Sequence, residues 1–293
     1  MRAGVLSAVP GARAAARALT RAASRRDASR IEPADGAHPA YAQYAQALRD
    51  LHAPLAAPDA AAIEAIEALR GRIAASDEPV EMIDFGAGST LTGAGDAPVR
   101  RSAPTTVGEL TRSTSKPARW ARFLFHVVHR TGARQGLELG TSMGISAAYE
   151  AAAFAGNAGR LLTIEGSPAS AALAERHLRE LGRLPDVVTI RVGRFDEALP
   201  PVLAELTDID YVFIDGHHDE QATKDYFAQV KPHLAPGATV VFDDIRWTPG
   251  MLRAWEAVSA DPDVAVAFDC GGVGLVCVAP GHTGRATARV RVG

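Results

Sequence analysis

The stretch LELGTSMGIS, residues 137–146, decides the fold of this chain. Its apolar first half predicts a short buried strand at 136–140, and the small residues that follow predict a helix over 145–155. Gly140 and Gly144 place a bend between the two elements. Open α/β sheets bind ligands just beyond the carboxyl ends of their strands, so this bend is also the first candidate for a ligand site.

Beyond this bend the chain alternates between short apolar runs and helical patterns. Further strands are predicted at 161–165, 187–192, 209–215, 238–242, 264–268 and 273–279. Strand-then-helix units in series predict a parallel sheet with helices on both faces. Only 269–272 separate the last two strands, which is hairpin spacing, so the final strand is predicted to be antiparallel. We expect an α/β fold over 116–280: a doubly wound, Rossmann-like, mostly parallel sheet of seven strands.

The segments on either side of this domain differ from it in composition. Residues 1–37 are predicted to be a disordered Arg/Ala-rich extension, because 1–30 hold seven arginines and a single acid. An organelle transit peptide is the alternative for this segment. Residues 38–115 predict an N-terminal helical and irregular appendage or lid, and 281–293 predict a tail.

The appendage contains two helical patterns and one glycine-rich segment. Helices are predicted at 41–51 and from an Asp59 N-cap to about Ala75. The segment VEMIDFGAGS (80–89) superficially resembles a nucleotide-binding glycine loop, but no helical period follows it to receive an anion. We therefore interpret 80–89 as a structural loop that is free to reach over an active site.

The overall composition argues against several classes of protein. A net charge of −3 disfavours a generally basic nucleic-acid binder, so no nucleic-acid partner is expected. No apolar run reaches the roughly 18 residues that span a bilayer, so no membrane association is expected. Cys270 and Cys277 are too few for a disulfide framework, which favours a reducing compartment, the cytoplasm. Composition leaves open whether the chain forms a homo-oligomer.

The glycine spacing at the bend decides among cofactors. A dinucleotide fingerprint has glycines at its first, third and sixth positions, but here Ser142 and Ile145 take the third and sixth. Gly140 instead suits the close approach of a smaller, cationic cofactor with an adenosyl group and an amino-acid tail, and Glu138 can accept from its ammonium. Glu165 ends the second strand, where a carboxylate accepts both hydroxyls of a ribose.

LELGTSMGIS, Glu165 and the Ile-Asp-Gly at 214–216 together resemble the class I S-adenosylmethionine-dependent methyltransferases, most closely the catechol and caffeoyl-CoA O-methyltransferases. The resemblance extends from about Ser113 to Val278. It implies that S-adenosylmethionine binds with its methionine part on the bend, its ribose at Glu165 and its adenine near Phe195. The cofactor-binding residues that it implies are Ser113, Ser115, Glu138, Gly140, Thr141, Ser142, Gly144, Glu165, Gly166, Ser167, Gly193, Phe195, Asp196 and Asp215.

Three carboxylates are predicted to converge beyond the fourth and fifth strands. Asp215 follows one strand and Asp243 and Asp244 follow the other, and crowded carboxylates are costly unless a cation is near. The resemblance implies that these three aspartates hold Mg²⁺ or a similar divalent cation, with Asp244 standing where relatives have asparagine. The alternative is that Asp215 anchors its loop while Asp243 caps the following turn.

Two histidines follow Asp215 and are candidate catalytic residues. His218 lies where the catechol-type enzymes have a lysine base, and histidine titrates near neutrality, which suits a general base. His217 is the alternative base, a metal ligand or a wall of the pocket, and Trp247 is a candidate wall for an apolar substrate. The expected function is methyl transfer from S-adenosylmethionine to an oxygen of a small molecule. Methylation at nitrogen and a non-catalytic cofactor-binding module are the alternatives.

Overall fold

The computed structural model of this chain describes residues 22–32, 36–85, 101–290 and 292. Its helices are α1 (22–29), α2 (Ala40–Asp50), α3 (Ala57–Ala74), α4 (Val107–Thr114), α5 (Ala118–Thr131), α6 (Ile145–Gly156), α7 (Pro168–Glu180), α8 (Phe195–Glu205), α9 (Glu220–Val230) and α10 (Pro249–Ser259). Its strands are β1 (Pro79–Asp84), β2 (Arg101–Thr106), β3 (Gln135–Leu139), β4 (Arg160–Glu165), β5 (Val188–Val192), β6 (Ile209–Ile214), β7 (Leu234–Phe242), β8 (Val264–Asp269), β9 (Gly274–Val278) and β10 (Ala286–Arg289). Among the described residues, no helix has the length and apolarity that a membrane crossing requires.

The central sheet has the strand order β10-β8-β9-β7-β6-β3-β4-β5. Strands β3 to β7 pair in parallel with one another, and β9 runs antiparallel to both β7 and β8. The predicted Rossmann-like, mostly parallel sheet with an antiparallel last strand is therefore confirmed. Strand β3 has β4 on one side and β6 on the other, so the strand order reverses at β3. Doubly wound sheets bind their ligands at this reversal, beyond the carboxyl ends of the strands.

Apolar side chains cover both faces of the sheet, which explains the nearly continuous apolar runs of its strands. On one face the core joins the sheet to α2, α5, α6 and α7, and Tyr44, Phe123 and Tyr149 are among its fully buried side chains. On the other face the core joins the sheet to α8, α9 and α10 through residues such as Leu199 and Phe227. With both faces covered, the carboxyl edge of the sheet is where a cavity can form.

Both segments predicted as tails contribute to the folded structure. Helix α1 lies in the segment predicted to be disordered, and Ala28 on this helix is buried in the core, so the prediction is wrong for 22–29. Small alanine side chains allow this close packing, which composition alone does not reveal. Strand β10 lies in the predicted C-terminal tail and pairs in parallel with β8. Its short sequence has no strand pattern of its own and takes its structure from the edge of the sheet.

Helix α3 of the appendage begins earlier than predicted. Its N-cap is Ala56, and Asp59 lies within the first turn, so the predicted Asp59 cap is wrong. Pro58 explains the difference, because a proline suits the first helical turn, where its missing N–H leaves no bond unmade. The apolar stripe of the helix is buried as its spacing predicts, at Ile63, Ile66, Leu69 and Ile73.

The segment interpreted as a structural loop at 80–89 begins as a strand. Strand β1 pairs antiparallel with β2, and 86–100 between them, including the glycines of the apparent nucleotide loop, lie outside the described residues. Helix α4 follows β2 directly and was not predicted. Thr106 Oγ1 accepts from the Glu109 N–H at 3.2 Å, and the Glu109 carboxylate accepts from the Thr106 N–H at 3.3 Å. This Thr-x-x-Glu capping box is the sequence signal that could have revealed the helix.

Replacing Tyr44 with phenylalanine is expected to lower the free energy of unfolding by about 1–3 kcal/mol, because buried polar partners lose a hydrogen bond. Tyr44 lies on α2, and its hydroxyl is 2.9 Å from the hydroxyl of Thr239 and 3.1 Å from the carbonyl oxygen of Val276. It therefore ties the appendage to the centre of the sheet. Urea unfolding measures the change, and Tyr41→Phe on the same helix is the matched control. Equal losses in the two variants would contradict this assignment.

Candidate active site

A cavity of about 330 Å³ opens at the carboxyl edge of the sheet, where β3, β4 and β6 end. It brings together most of the residues that the sequence predicted to act there. Those that line it are Ser113, Gly140, Ser142, Glu165, Gly166, Phe195, Asp196, Asp215, His217, His218, Asp244 and Trp247. Residues from β1, α4 and the segment before α5 complete the lining, so the appendage forms one wall of the cavity.

Six residues predicted to bind the cofactor do not line the cavity. Glu138 is fully buried on the face of β3 that packs against α6, and its carboxylate accepts from the Thr163 hydroxyl at 2.6 Å. Burial raises the pKa of Glu138 to about 7. Hydrogen bonds from Ser146 and Thr163 lower this pKa, but by less than burial raises it. The strand alternates its side chains between faces, so Glu138 lies on the face of β3 opposite to Leu139. The other five are Ser115, Thr141, Gly144, Ser167 and Gly193.

Glu165 joins the two parts of the predicted cofactor site. One of its carboxylate oxygens accepts from the Ser142 N–H at 2.7 Å, and the other accepts from the Ser167 N–H at 2.8 Å. The end of β4 is thereby held against the 140–144 bend. The hydroxyl of Ser142 lies 2.7 Å from that of Thr114, which connects the bend to α4 of the appendage.

Gly140 allows the bend to pack directly on the loop that follows β6. Its backbone φ is +111°, a conformation that L side chains rarely adopt. A Cβ atom at this position would lie 2.1 Å from the carbonyl oxygen of Asp215. The Asp215 N–H donates to the Leu139 carbonyl at 2.9 Å, so the two strand ends are also bonded to each other. The glycine thus brings the Asp215 loop against the bend.

The carboxylates beyond β6 and β7 meet a lysine that the sequence analysis did not single out. Lys116 Nζ lies 3.0 Å from Asp215 Oδ1 and in direct contact with Asp243 Oδ2. The side chains are 13%, 12% and 4% exposed, so the three charges are largely removed from water. The sequence did offer one signal for Lys116: lysine is rare in this arginine-rich chain, and the other two lysines are Lys224 and Lys231.

Electrostatics keep the lysine of this cluster charged, while burial raises the pKa of Asp215 and of Asp244. Burial alone would lower the pKa of Lys116, but the carboxylates of Asp215, Asp243 and Asp244 outweigh that effect and raise the pKa above its usual value. Burial, together with the charge of Asp215, raises the pKa of Asp243 to about 6, which leaves this carboxyl charged at neutral pH. The cluster is therefore a buried ammonium facing crowded carboxylates.

This arrangement bears directly on the predicted metal site. Asp215, His218 and Asp243 each offer a ligand atom within 4.8 Å of the others, which alone would suit a divalent cation. The ammonium of Lys116 touches both aspartates of that set. A divalent cation on these two carboxylates would lie beside the ammonium and be repelled by it, so the residues present do not fit a divalent cation while the lysine holds this position.

The two predicted catalytic histidines have different surroundings. His218 Nε2 lies 3.7 Å from Asp215 Oδ1, and its ring makes an edge contact with Trp247 at 5.2 Å between centroids. His217 Nδ1 lies 2.6 Å from the hydroxyl of Tyr226 on α9. Both histidines have left-handed backbones, with φ of +43° for His218 and +70° for His217. His218 therefore faces the acidic cluster, whereas His217 is held towards the helix.

The outer wall of the cavity is apolar and comes from segments that the sequence analysis did not assign to the site. Met82 and Phe85 extend from the end of β1, and Leu110 comes from α4. The centroid of the Phe85 ring lies 5.2 Å from the guanidinium carbon of Arg194. The ring also packs against the backbone of Gly166, where a Cβ atom would clash with it. The described part of the 80–89 segment, up to Phe85, lines the cavity.

Comparison with known proteins shows which proteins the part of the chain around this site is similar to. A family described as "Methyltransferase domain" matches residues 137–245, which contain the bend, Glu165, Asp215 and both histidines. By this match, residues 137–245 are similar to a methyltransferase domain, and the sheet order agrees with the doubly wound fold predicted around the motif.

Among curated proteins, a catechol O-methyltransferase of Niastella koreensis is 34% identical over 125 residues, which cover 42% of this chain and 55% of that protein. An uncharacterised protein of Acanthamoeba polyphaga mimivirus, R132, is 37% identical over 80 residues, or 26% of this chain and 36% of the viral protein. The chain thus spans about half or less of the length of these curated relatives.

Similar proteins are also found among solved structures. The O-methyltransferase TomG from Streptomyces achromogenes, in complex with S-adenosylmethionine, is 26% identical with a TM-score of 0.48, covering 57% of this chain and 82% of TomG. An O-methyltransferase from Bacillus cereus, in complex with S-adenosylhomocysteine, is 20% identical with a TM-score of 0.49, covering 79% of this chain and 96% of that one.

Proposed function

We propose that the protein transfers a methyl group from S-adenosylmethionine to an oxygen of a small molecule. S-adenosylmethionine supplies a methyl on a cationic sulfur: the acceptor oxygen bonds to that carbon while the carbon–sulfur bond breaks, and its electron pair stays on the sulfur. The observation that carries the proposal is the bond between Glu165 and the 140–144 bend, at the mouth of a cavity that also holds Asp215 and His218. The catechol O-methyltransferase relative favours oxygen over nitrogen as the acceptor atom.

The residues of the bend and of β4 have the chemistry that the cofactor requires. Gly140 has no side chain to obstruct a ligand on the bend, and Glu165 lines the cavity beside it. Each oxygen of Glu165 accepts one backbone N–H, and this carboxylate at the end of β4 is the group that we assign to accept the two hydroxyls of a ribose. Phe195 and Asp196 lie further along the lining, where we place the adenine.

His218 is the group that we assign to remove the proton of the acceptor hydroxyl. The carboxylate of Asp215 at 3.7 Å orients its ring and stabilises the imidazolium that forms. Trp247, 43% exposed, packs against His218 and offers an apolar surface to the acceptor. We place His217 in the wall, because Tyr226 engages its ring.

The cytoplasm is the compartment that we propose. Cys270 and Cys277 are both buried free thiols, which suits a reducing environment.

Replacing Glu165 with glutamine is expected to weaken binding of S-adenosylmethionine and of S-adenosylhomocysteine by about ten- to hundredfold. The charge is lost, and the new amide turns an N–H toward the backbone N–H of Ser142 or Ser167. Isothermal calorimetry measures both ligands. Glu205→Gln, which removes a surface partner of Arg191, is the matched control and should bind as the wild type does. Absence of binding to the wild-type protein would contradict the proposed function, and unchanged affinity in Glu165→Gln would contradict the role of this carboxylate.

A further inference from the structure

We propose that Lys116 is the resident cation of this active site: its ammonium takes the place of a divalent metal and presents one N–H to a single acceptor oxygen. The exclusion of metal follows from the cluster alone. The role toward the acceptor rests on the proposed methyl transfer.

The ammonium and a divalent metal would compete for the same two carboxylates. Lys116 Nζ is 3.0 Å from Asp215 Oδ1 and touches Asp243 Oδ2, the two carboxylates at the centre of the candidate metal set. Mg²⁺ binds its oxygen ligands at about 2.0–2.1 Å, so an ion held by these two carboxylates would lie next to the ammonium, and the two positive charges would repel each other. A lysine in this position supplies the positive charge that buried, crowded carboxylates would otherwise need from a metal.

The appendage holds the main chain of Lys116 in position. Its carbonyl oxygen accepts from the guanidinium of Arg70 on α3. Arg70 Nε lies 3.0 Å from Glu67 Oε1, and the same carboxylate accepts from the Tyr149 hydroxyl of α6 at 2.7 Å. Pro117 follows Lys116 directly and is the N-cap of α5. The lysine is thus anchored between α3 and α5 and differs from a surface lysine that samples many positions.

The number of N–H groups sets what the cation can recognise. An ammonium has three N–H donors. Asp215 and Asp243 account for two of them, and Lys116 lines the cavity, so the third can donate to one oxygen. A divalent metal accepts several oxygen ligands and would favour two neighbouring hydroxyls on one acceptor. We therefore expect acceptors with a single hydroxyl to react as readily as vicinal dihydroxy compounds. The hydroxyl proton passes to His218, and Lys116 remains protonated throughout.

Binding of Mn²⁺ tests the metal exclusion without any turnover. The purified full chain is stripped with a chelator and titrated with Mn²⁺, and free Mn²⁺ is followed by its EPR signal. We expect weak binding to the wild type, and at least about tenfold tighter one-site binding to Lys116→Ala, because three carboxylates then lose their counter-charge. Adding Asp243→Asn to Lys116→Ala should abolish the gain. A tight wild-type site that Asp215→Asn removes would overturn the proposal.

Lys231 provides the matched control for this titration. Its ammonium also bridges two carboxylates, Asp261 and Asp263, both at 2.7 Å, but on a more exposed surface. Lys231→Ala should gain no tight Mn²⁺ site, since two solvated carboxylates do not need a cation. An equal gain in Lys231→Ala and Lys116→Ala would overturn the special role of Lys116. If Lys116→Ala does not fold, Lys116→Met can replace it, because methionine keeps an unbranched apolar side chain without the charge. The titration of the wild-type protein by itself also decides whether a metal binds.

Turnover tests the second half of the proposal. Simple phenols and their vicinal dihydroxy analogues are compared as acceptors, with and without excess EDTA. We expect EDTA to leave the rates unchanged and the two acceptor types to differ by no more than about threefold, since neither depends on chelation. Loss of activity in EDTA, restored by Mg²⁺, would overturn it. A chain that binds neither S-adenosylmethionine nor Mn²⁺ would defeat the proposed function while leaving the metal exclusion in place.

Discussion

Replacing His218 with asparagine is expected to lower methyl-transfer turnover by a factor of about 10²–10⁴, the range that positioned general bases contribute. Its imidazole lines the cavity 3.7 Å from Asp215, and asparagine can bond to the acceptor hydroxyl but cannot carry away its proton. Asparagine is chosen because it tolerates the left-handed backbone at this position, where φ is +43°. Affinity for S-adenosylmethionine should stay near the wild-type value, since we assign the cofactor to the bend and to Glu165.

Single-turnover kinetics with saturating cofactor and a phenolic acceptor would measure this loss. His233→Asn is the matched control, because His233 lies just before β7, at the edge of the sheet opposite the cavity. His217→Asn is the informative comparison: its ring is engaged by Tyr226, so a smaller loss is expected. The assignment of the base would be overturned if His218→Asn kept most of the turnover while His217→Asn lost it.

Replacing Gly140 with alanine is expected to destabilise the protein by about 3 kcal/mol or more, enough to unfold a marginal domain. The added methyl would lie 2.1 Å from the carbonyl oxygen of Asp215, and that atom belongs to the backbone and cannot swing aside. The strain of a side chain at φ +111° adds to the clash. Relief would require β3 and β6 to separate, although they pair in the centre of the sheet.

Urea unfolding at unchanged m-value would measure this effect. Gly71→Ala is the control that makes the same chemical change with the opposite expected sign. Gly71 lies on the exposed side of α3, and a Cβ there would meet nothing within 4 Å. Alanine should raise stability at that position by about 0.5–1 kcal/mol, because it favours helix over glycine. Similar stabilities for the two variants would contradict the close approach at Gly140.

The elements of the central domain could be predicted because their signals are local. Apolar runs predicted β3 to β9 to within a few residues at nearly every boundary, and the four-residue gap at 269–272 correctly predicted the antiparallel last strand. Elements without such a signal were missed. Helix α1 is rich in alanine and arginine, and β10 takes its structure from the edge of the sheet rather than from its own residues.

The candidate site divides in the same way. Glu165 and Asp215 follow strands whose order is set by the fold, so their convergence could be predicted. Glu138 was also predicted from the motif, but it is fully buried on the face of β3 opposite to Leu139 and does not line the cavity. Phe85 was missed because a strand in the appendage brings it to the cavity wall from far away in the sequence.

By itself the amino-acid sequence determined the doubly wound sheet, the bend at 140–144 and the acidic residues at the strand ends, since each depends on neighbours a few positions away. Only the tertiary structure decided which cation those acids meet. Lys116 and Asp243 are 127 residues apart, and they come into contact because α3 and α5 place the lysine at the carboxyl edge of the sheet. No local preference encodes that approach, because the energy of a buried charge depends on the other charges that the complete fold brings beside it.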